Sequence, residues 1–94
     1  MKLQLFPAAV RDLRELRAYV AADSPSAADA VSARIARAIS LIVQKPGIGR
    51  PNPQRPTREW SVPGLPYLVV YRISDATVEI LRIWHTSRER PSEW

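Results

Sequence analysis

The stretch "YLVVYRISDATVEILRIWH", residues Tyr67 to His85, decides which fold this chain can adopt. Two runs rich in β-branched and aromatic residues flank a short polar break from Ser74 to Thr77, the pattern of antiparallel strands joined by a tight turn. With the turn centred on Asp75 and Ala76, Ile73 faces Val78, Arg72 faces Glu79, Tyr71 faces Ile80, Val70 faces Leu81, Leu68 faces Ile83 and Tyr67 faces Trp84. This register sets Arg72 beside an opposite charge and puts Arg82 opposite Val69, among Tyr67, Tyr71 and Trp84. Because strand side chains alternate, one face is expected to carry Leu68, Val70, Leu81 and Ile83, and the other the aromatics with Arg82. Both faces are too apolar to lie bare. One is expected against helices, and the other against a partner or the chain's own tail.

Toward the amino terminus, "KLQLF" (Lys2 to Phe6) alternates polar and apolar residues and stops at Pro7, which suits a short strand leading into a helix. From Ala8 to Ala22, Val10, Leu13, Leu16 and Val20 recur at helical spacing, leaving Arg11, Asp12, Arg14 and Glu15 largely toward water. Ser24 fits an N-cap with Pro25 in the first helical position, and Ala28, Val31, Ile35, Ala38 and Ile42, widened by Ile39, mark a second amphipathic helix. So short a link predicts an antiparallel helical hairpin. "KPGIGRPNPQRP" (Lys45 to Pro56) holds four prolines and two glycines in twelve residues and reads as a loop. "TREWSV" and a "PGLP" turn then lead into the strand at Tyr67. The expected class is α+β with order β-α-α-β-β-β, a helical hairpin packed on a small antiparallel-rich sheet, in one domain over residues 1–94.

A chain of 94 residues buries only a modest core. With no cysteine and one histidine, a disulfide framework and a thiolate or multi-imidazole metal site are both disfavoured, and a cytoplasmic location is expected. No apolar run is long enough to span a bilayer, so no membrane association is expected. The formal charge is +5, and only Lys2 and Lys45 of the fourteen basic residues are lysines. Arginine forks suit phosphate or carboxylate, hence nucleic acid or an acidic protein, although charge of this size also serves solubility.

Asp12, Glu15, Glu59 and Glu79 are scattered without a metal-ligand pattern, and no phosphate-cradling glycine loop or nucleophile elbow occurs. No metal or small-molecule cofactor is expected. Metal-free RNA cleavage needs proton carriers and cations around the phosphate: Glu59 or His85 could move protons, with Arg58, Arg82 and Arg88 stabilising charge. Each has an ordinary alternative: a solvated carboxylate for Glu59, a strand-end ring bonded to its neighbours for His85, and a structural cation stacked on aromatic faces for Arg82. Lys45, Arg50, Arg55 and Arg58 form an acid-free run that could follow a phosphate backbone or simply solvate a loop. Trp60 reads as a packing residue, and Trp94 as a terminal side chain able to cover an apolar groove.

Taken together, "AVRDLRELRAYVAADSPSAA", "KPGIGRP", "TREW", "PYLVVYRI" and "VEILRIWHTSRERP" resemble the ParE/RelE toxin superfamily of type II toxin-antitoxin systems over nearly the whole chain. The resemblance implies a β-α-α-β-β-β toxin neutralised by a cognate antitoxin protein. It also implies either DNA gyrase poisoned without catalysis (ParE-like) or mRNA cut on the ribosome (RelE-like). Tyr67 stands where nuclease members tend to place arginine, and Trp94 at best replaces their later tyrosine, so the ParE-like branch is favoured. Arg58, Arg82, Arg88, Arg90 and Trp94 are then the expected target-binding residues, and Leu13, Leu16, Val20, Leu68, Val70, Leu81 and Ile83 the expected antitoxin-binding ones. In the nuclease alternative the catalytic set is Arg58, Arg82, His85 and Arg88. A non-catalytic nucleic-acid-binding module is the remaining possibility.

Overall fold

The computed structural model describes residues 1–88. The chain runs β1 (Lys2–Leu5), α1 (Pro7–Asp23), α2 (Pro25–Gln44), a 3-10 turn (Pro46–Ile48), β2 (Arg50–Pro51), β3 (Arg58–Ser61), β4 (Tyr67–Ser74) and β5 (Thr77–His85). Two helices and a mixed sheet give the expected α+β class. Ser24 alone separates the helices: its N–H donates to Val20 O, and its Oγ accepts from the Ala27 N–H at 3.2 Å, closing α1 and capping α2 at once. Pro7 and Pro25 each occupy a first turn, where the missing donor costs nothing.

The sheet order is β1-β5-β4-β3-β2, so the first strand lies parallel to the last and every other pair is antiparallel. The chain between this parallel pair contains both helices and the three other strands, far more than the length a parallel connection requires. The loop read from Lys45 to Pro56 is more structured than expected, holding the 3-10 turn and the short edge strand β2, where Pro51 is tolerated.

The β4–β5 hairpin turns at Asp75 and Ala76, both with positive φ (49° and 58°), as a two-residue turn matched to strand twist requires. Up to Tyr71↔Ile80 the register is the one expected. Beyond it an irregularity between Val70 and Tyr71 shifts the pairing by one residue: Val70 meets Arg82, Val69 meets Ile83, Leu68 meets Trp84 and Tyr67 meets His85. Leu81 is the extra residue of a bulge.

The slip corrects the expected faces. Tyr67, Val69 and Tyr71 share the helix-facing side with Val78, Ile80 and Ile83, and join Ala9, Leu16, Ile35, Ala38, Ile39 and Ile42 in the core. Leu68 and Val70 share the opposite side with Arg82 and Trp84. Ile83 therefore belongs to the core and not to a face with Leu68 and Val70, and Arg82 does not lie among Tyr67 and Tyr71. Trp60 packs against the core from β3, in keeping with its reading as a packing residue.

Candidate functional site

β1 ends at Leu5, and after the Phe6 N–H donates to Ile80 O at 2.9 Å no strand among the described residues lies outside the rest of β5. The first turns of α1 cover that edge. Asp12 sits three residues after Ala9 and four before Leu16, so helical spacing turns it inward with them, and it is 8% exposed. The expectation that Asp12 faces water is thus corrected. Its carboxylate accepts from Arg82 Nε at 2.7 Å and Nη2 at 2.9 Å, and from the Ile83 N–H at 3.0 Å. A fork-on-fork ion pair and an edge amide share one acid, which takes the place of the missing strand. The hydrogen bond to Asp12 holds the Arg82 guanidinium charged still more firmly than usual, against the opposing effect of burial.

Past this anchor, Arg82 lies over the Trp84 ring at 5.0 Å and Arg88 at 5.8 Å, while the Trp84 indole N–H donates to Arg88 O at 3.3 Å. His85 meets the Tyr67 ring edge-on at 5.4 Å between centroids. Its Nδ1 accepts from the Ser87 N–H at 3.1 Å and lies 2.6 Å from Ser87 Oγ, so the neutral tautomer protonated on Nε2 fits this turn. A cleft of about 370 Å³ opens here, lined by Glu15, Leu16, Tyr19, Tyr67, His85 and Arg88 among others.

Midway along β4, Tyr71 is fully buried and its hydroxyl donates to Pro46 O at 2.6 Å and accepts from the Gly49 N–H at 2.9 Å. Burial pushes this phenol's pKa above its usual value, partly countered by the Gly49 bond and the Arg58 charge. Arg58 Nη1 donates to Gly49 O at 2.8 Å and Gly47 O at 3.2 Å, so Tyr71 and Arg58 together pin the 3-10 segment to the sheet.

The nuclease constellation is therefore brought together only in part. His85 and Arg88 border one cleft, whereas Arg58, paired with Tyr71, stands four β4 residues from Tyr67, the partner of His85, or about 13 Å along the strand. Arg82 is bound to Asp12. Of the other expected binding residues, Leu16, Val70 and Ile83 are buried, Leu13, Val20, Leu68 and Leu81 are half-buried, and Arg90 and Trp94 lie outside the described residues. Among the described residues no three histidine, cysteine, aspartate or glutamate side chains gather as a metal site would need.

A second surface was missed in the sequence. β1 is an outer strand whose free side, with Leu3 46% exposed, runs beside a groove of about 480 Å³. Leu3, Leu5, Leu13, Ile35 and Ile39 line its apolar part, and Arg14 and Arg17 also border it. The alternation of "KLQLF" was the available signal, but which side of the strand stays unpaired depends on the sheet order.

The match to known proteins agrees with this architecture. Residues 3–90 fit the family model described as the ParE toxin of the type II toxin-antitoxin system parDE. The protein Y4kP of Sinorhizobium fredii (strain NBRC 101917 / NGR234), whose name describes it as a toxin, is 41% identical over 83 residues, 88% of this chain and 85% of its own length. A solved chain of the chromosomal ParDE TA system from P. aeruginosa has the same fold, with a TM-score of 0.81 at 24% identity, over 93% of this chain and 97% of that one. The chain belongs to the ParE toxin family of type II toxin-antitoxin systems, and an antitoxin partner follows from that membership. No helix among the described residues is long and apolar enough to cross a membrane.

Proposed function

We propose that this chain acts in the cytoplasm by binding and inhibiting DNA gyrase without catalysing a reaction itself, and that a cognate antitoxin neutralises it. The single observation that carries this is the commitment of the arginines a ribonuclease would need: Arg82 to Asp12, and Arg58 to the carbonyls of Gly47 and Gly49. A guanidinium already held bidentately by a carboxylate is a poor clamp for a phosphate. Arg58 and Arg82 then fix the loop and the strand, and contact with gyrase falls to exposed Arg88, with Arg90 and Trp94 following it in sequence. For the antitoxin, the groove along the free side of β1 offers an apolar floor that includes Leu13, and Leu68 and Leu81 on the open sheet face offer a smaller contact. Leu16, Val70 and Ile83 support these surfaces from beneath, and Val20 lies further along α1.

Purified chain added to gyrase is expected to block supercoiling or trap cleaved DNA, and Arg88→Ala is expected to weaken this while melting normally. Folded chain that neither blocks supercoiling nor traps cleaved DNA refutes the proposal. A second reading, mRNA cleavage on the ribosome, draws on the cleft that Glu15, His85 and Arg88 share. It predicts codon-associated cuts that weaken in His85→Ala and Arg88→Ala, and unchanged cutting in both variants removes that site.

A further inference from the structure

The sheet face turned away from the helices carries a shallow cavity of about 240 Å³ bordered by Arg55, Thr57, Glu59, Arg72 and Arg82, with Val70 and Leu81 also lining it. Three arginines around one hollow would ordinarily invite a phosphate. Two of them are answered by acids. Arg72 Nε lies 2.6 Å from Glu79 Oε1, its cross-strand neighbour on the same face. The acid that answers Arg82 comes from elsewhere: Asp12 belongs to α1 and borders the His85 cleft, on the other side of β5. The ion pair therefore reaches around the strand edge that β1 leaves uncovered, and draws the guanidinium toward the helix side. With Asp12 8% exposed and the Arg82 side chain 27% exposed, the pair is mostly screened from water. A phosphate entering the hollow would meet the Glu59 carboxylate at its border and an Arg82 guanidinium already held by Asp12 from the other side of β5.

We propose that Asp12 is a specificity-determining residue, which holds the Arg82 guanidinium over the strand edge and so keeps the open sheet face from gripping the phosphates of single-stranded nucleic acid. This rests on the non-catalytic reading of the site, since it makes the hollow beside Arg55 and Thr57 a latent phosphate site and not a working one. Asparagine at position 12 keeps the side-chain volume and a carbonyl oxygen for the Ile83 N–H but loses the charge that anchors Arg82.

The test is binding of a short, fluorescently labelled single-stranded RNA across a series of salt concentrations. One added phosphate contact steepens the slope of log affinity against log salt by ~0.7, which amounts to about fivefold tighter binding at ~0.1 M salt. Asp12→Asn is expected to show that change. Asp23→Asn, an exposed residue on the same helix with the same change of charge, is expected to keep the native slope, and Asp12→Asn combined with Arg82→Gln to return to it. A folded Asp12→Asn with the native slope, a gain equalled by Asp23→Asn, or a gain that survives Arg82→Gln overturns the proposal. Should Asp12→Asn lose its cooperative melt, Arg82→Gln alone decides. Native affinity and slope are expected, because the guanidinium is withheld from RNA in the native chain, and a shallower slope overturns the idea. Gyrase supercoiling by the native chain is scored separately, so a failure of the gyrase reading is told apart from a failure here.

Discussion

Replacing Tyr71 with phenylalanine removes one oxygen and leaves two backbone groups without their partner. The Gly49 N–H sits in a buried residue and loses its acceptor, and the Pro46 carbonyl, in a half-buried residue, loses its donor. An orphaned buried group costs about 1–3 kcal/mol, and the Pro46 oxygen regains some hydration, so about 2–3 kcal/mol is expected for the pair. For a domain of this size that lowers Tm by about 10–15 °C. Urea denaturation followed by tryptophan fluorescence measures the loss, and pH supplies a second readout. Burial raises the Tyr71 pKa in the folded chain above its ordinary value of 10.0. As pH climbs past that value the unfolded chain releases the phenol proton first, so the native chain loses stability between there and the raised folded value. Phenylalanine has no such proton. The stability gap between native chain and Tyr71→Phe should therefore be full at neutral pH and narrow in alkaline solution. A loss below about 0.5 kcal/mol, within the range of an ordinary surface substitution, or a gap that does not change with pH refutes this account of the residue.

Gly49→Ala would set a Cβ 2.6 Å from the Tyr71 hydroxyl and 2.7 Å from its Cε1. It should cost about 1–3 kcal/mol in denaturant titration, and Tyr71→Phe should not rescue it because the ring carbon stays. Ala76→Gly relieves a left-handed alanine at φ 58° and is expected to raise stability by about 1 kcal/mol in the same titration. Asp12→Ala removes the acid that the Arg82 cation and the Ile83 amide share, for an expected loss of about 3 kcal/mol by thermal or urea melting. Leu3→Glu, at a half-exposed position beside the β1 groove, should leave melting within about 0.5 kcal/mol of native while co-expressed antitoxin loses its ability to restore growth.

Much of the architecture was legible because its signals are local. Leu13, Leu16 and Val20 in α1, and Ile35, Ala38 and Ile42 in α2, repeat at the helical period, and Ser24–Pro25 marks both the end of one helix and the start of the next. The candidate site was less legible. Asp12 looked solvent-facing because it sits among Arg11, Arg14 and Glu15, although its spacing from Ala9 and Leu16 carried the contrary signal. Nothing local links it to Arg82, seventy positions away.

The sequence by itself determined the two helices, the strands β1 and β3 to β5, their order and the Asp75–Ala76 turn, since propensity, periodicity and capping act between residues a few positions apart. The tertiary structure alone decided the bulge at Leu81, the parallel pairing of β1 with β5 and the burial of Asp12. A one-residue slip leaves the alternation of apolar residues on each strand intact while it reassigns every side chain beyond it. An acid is buried only where packing brings a distant cation and an unpaired amide to the same place.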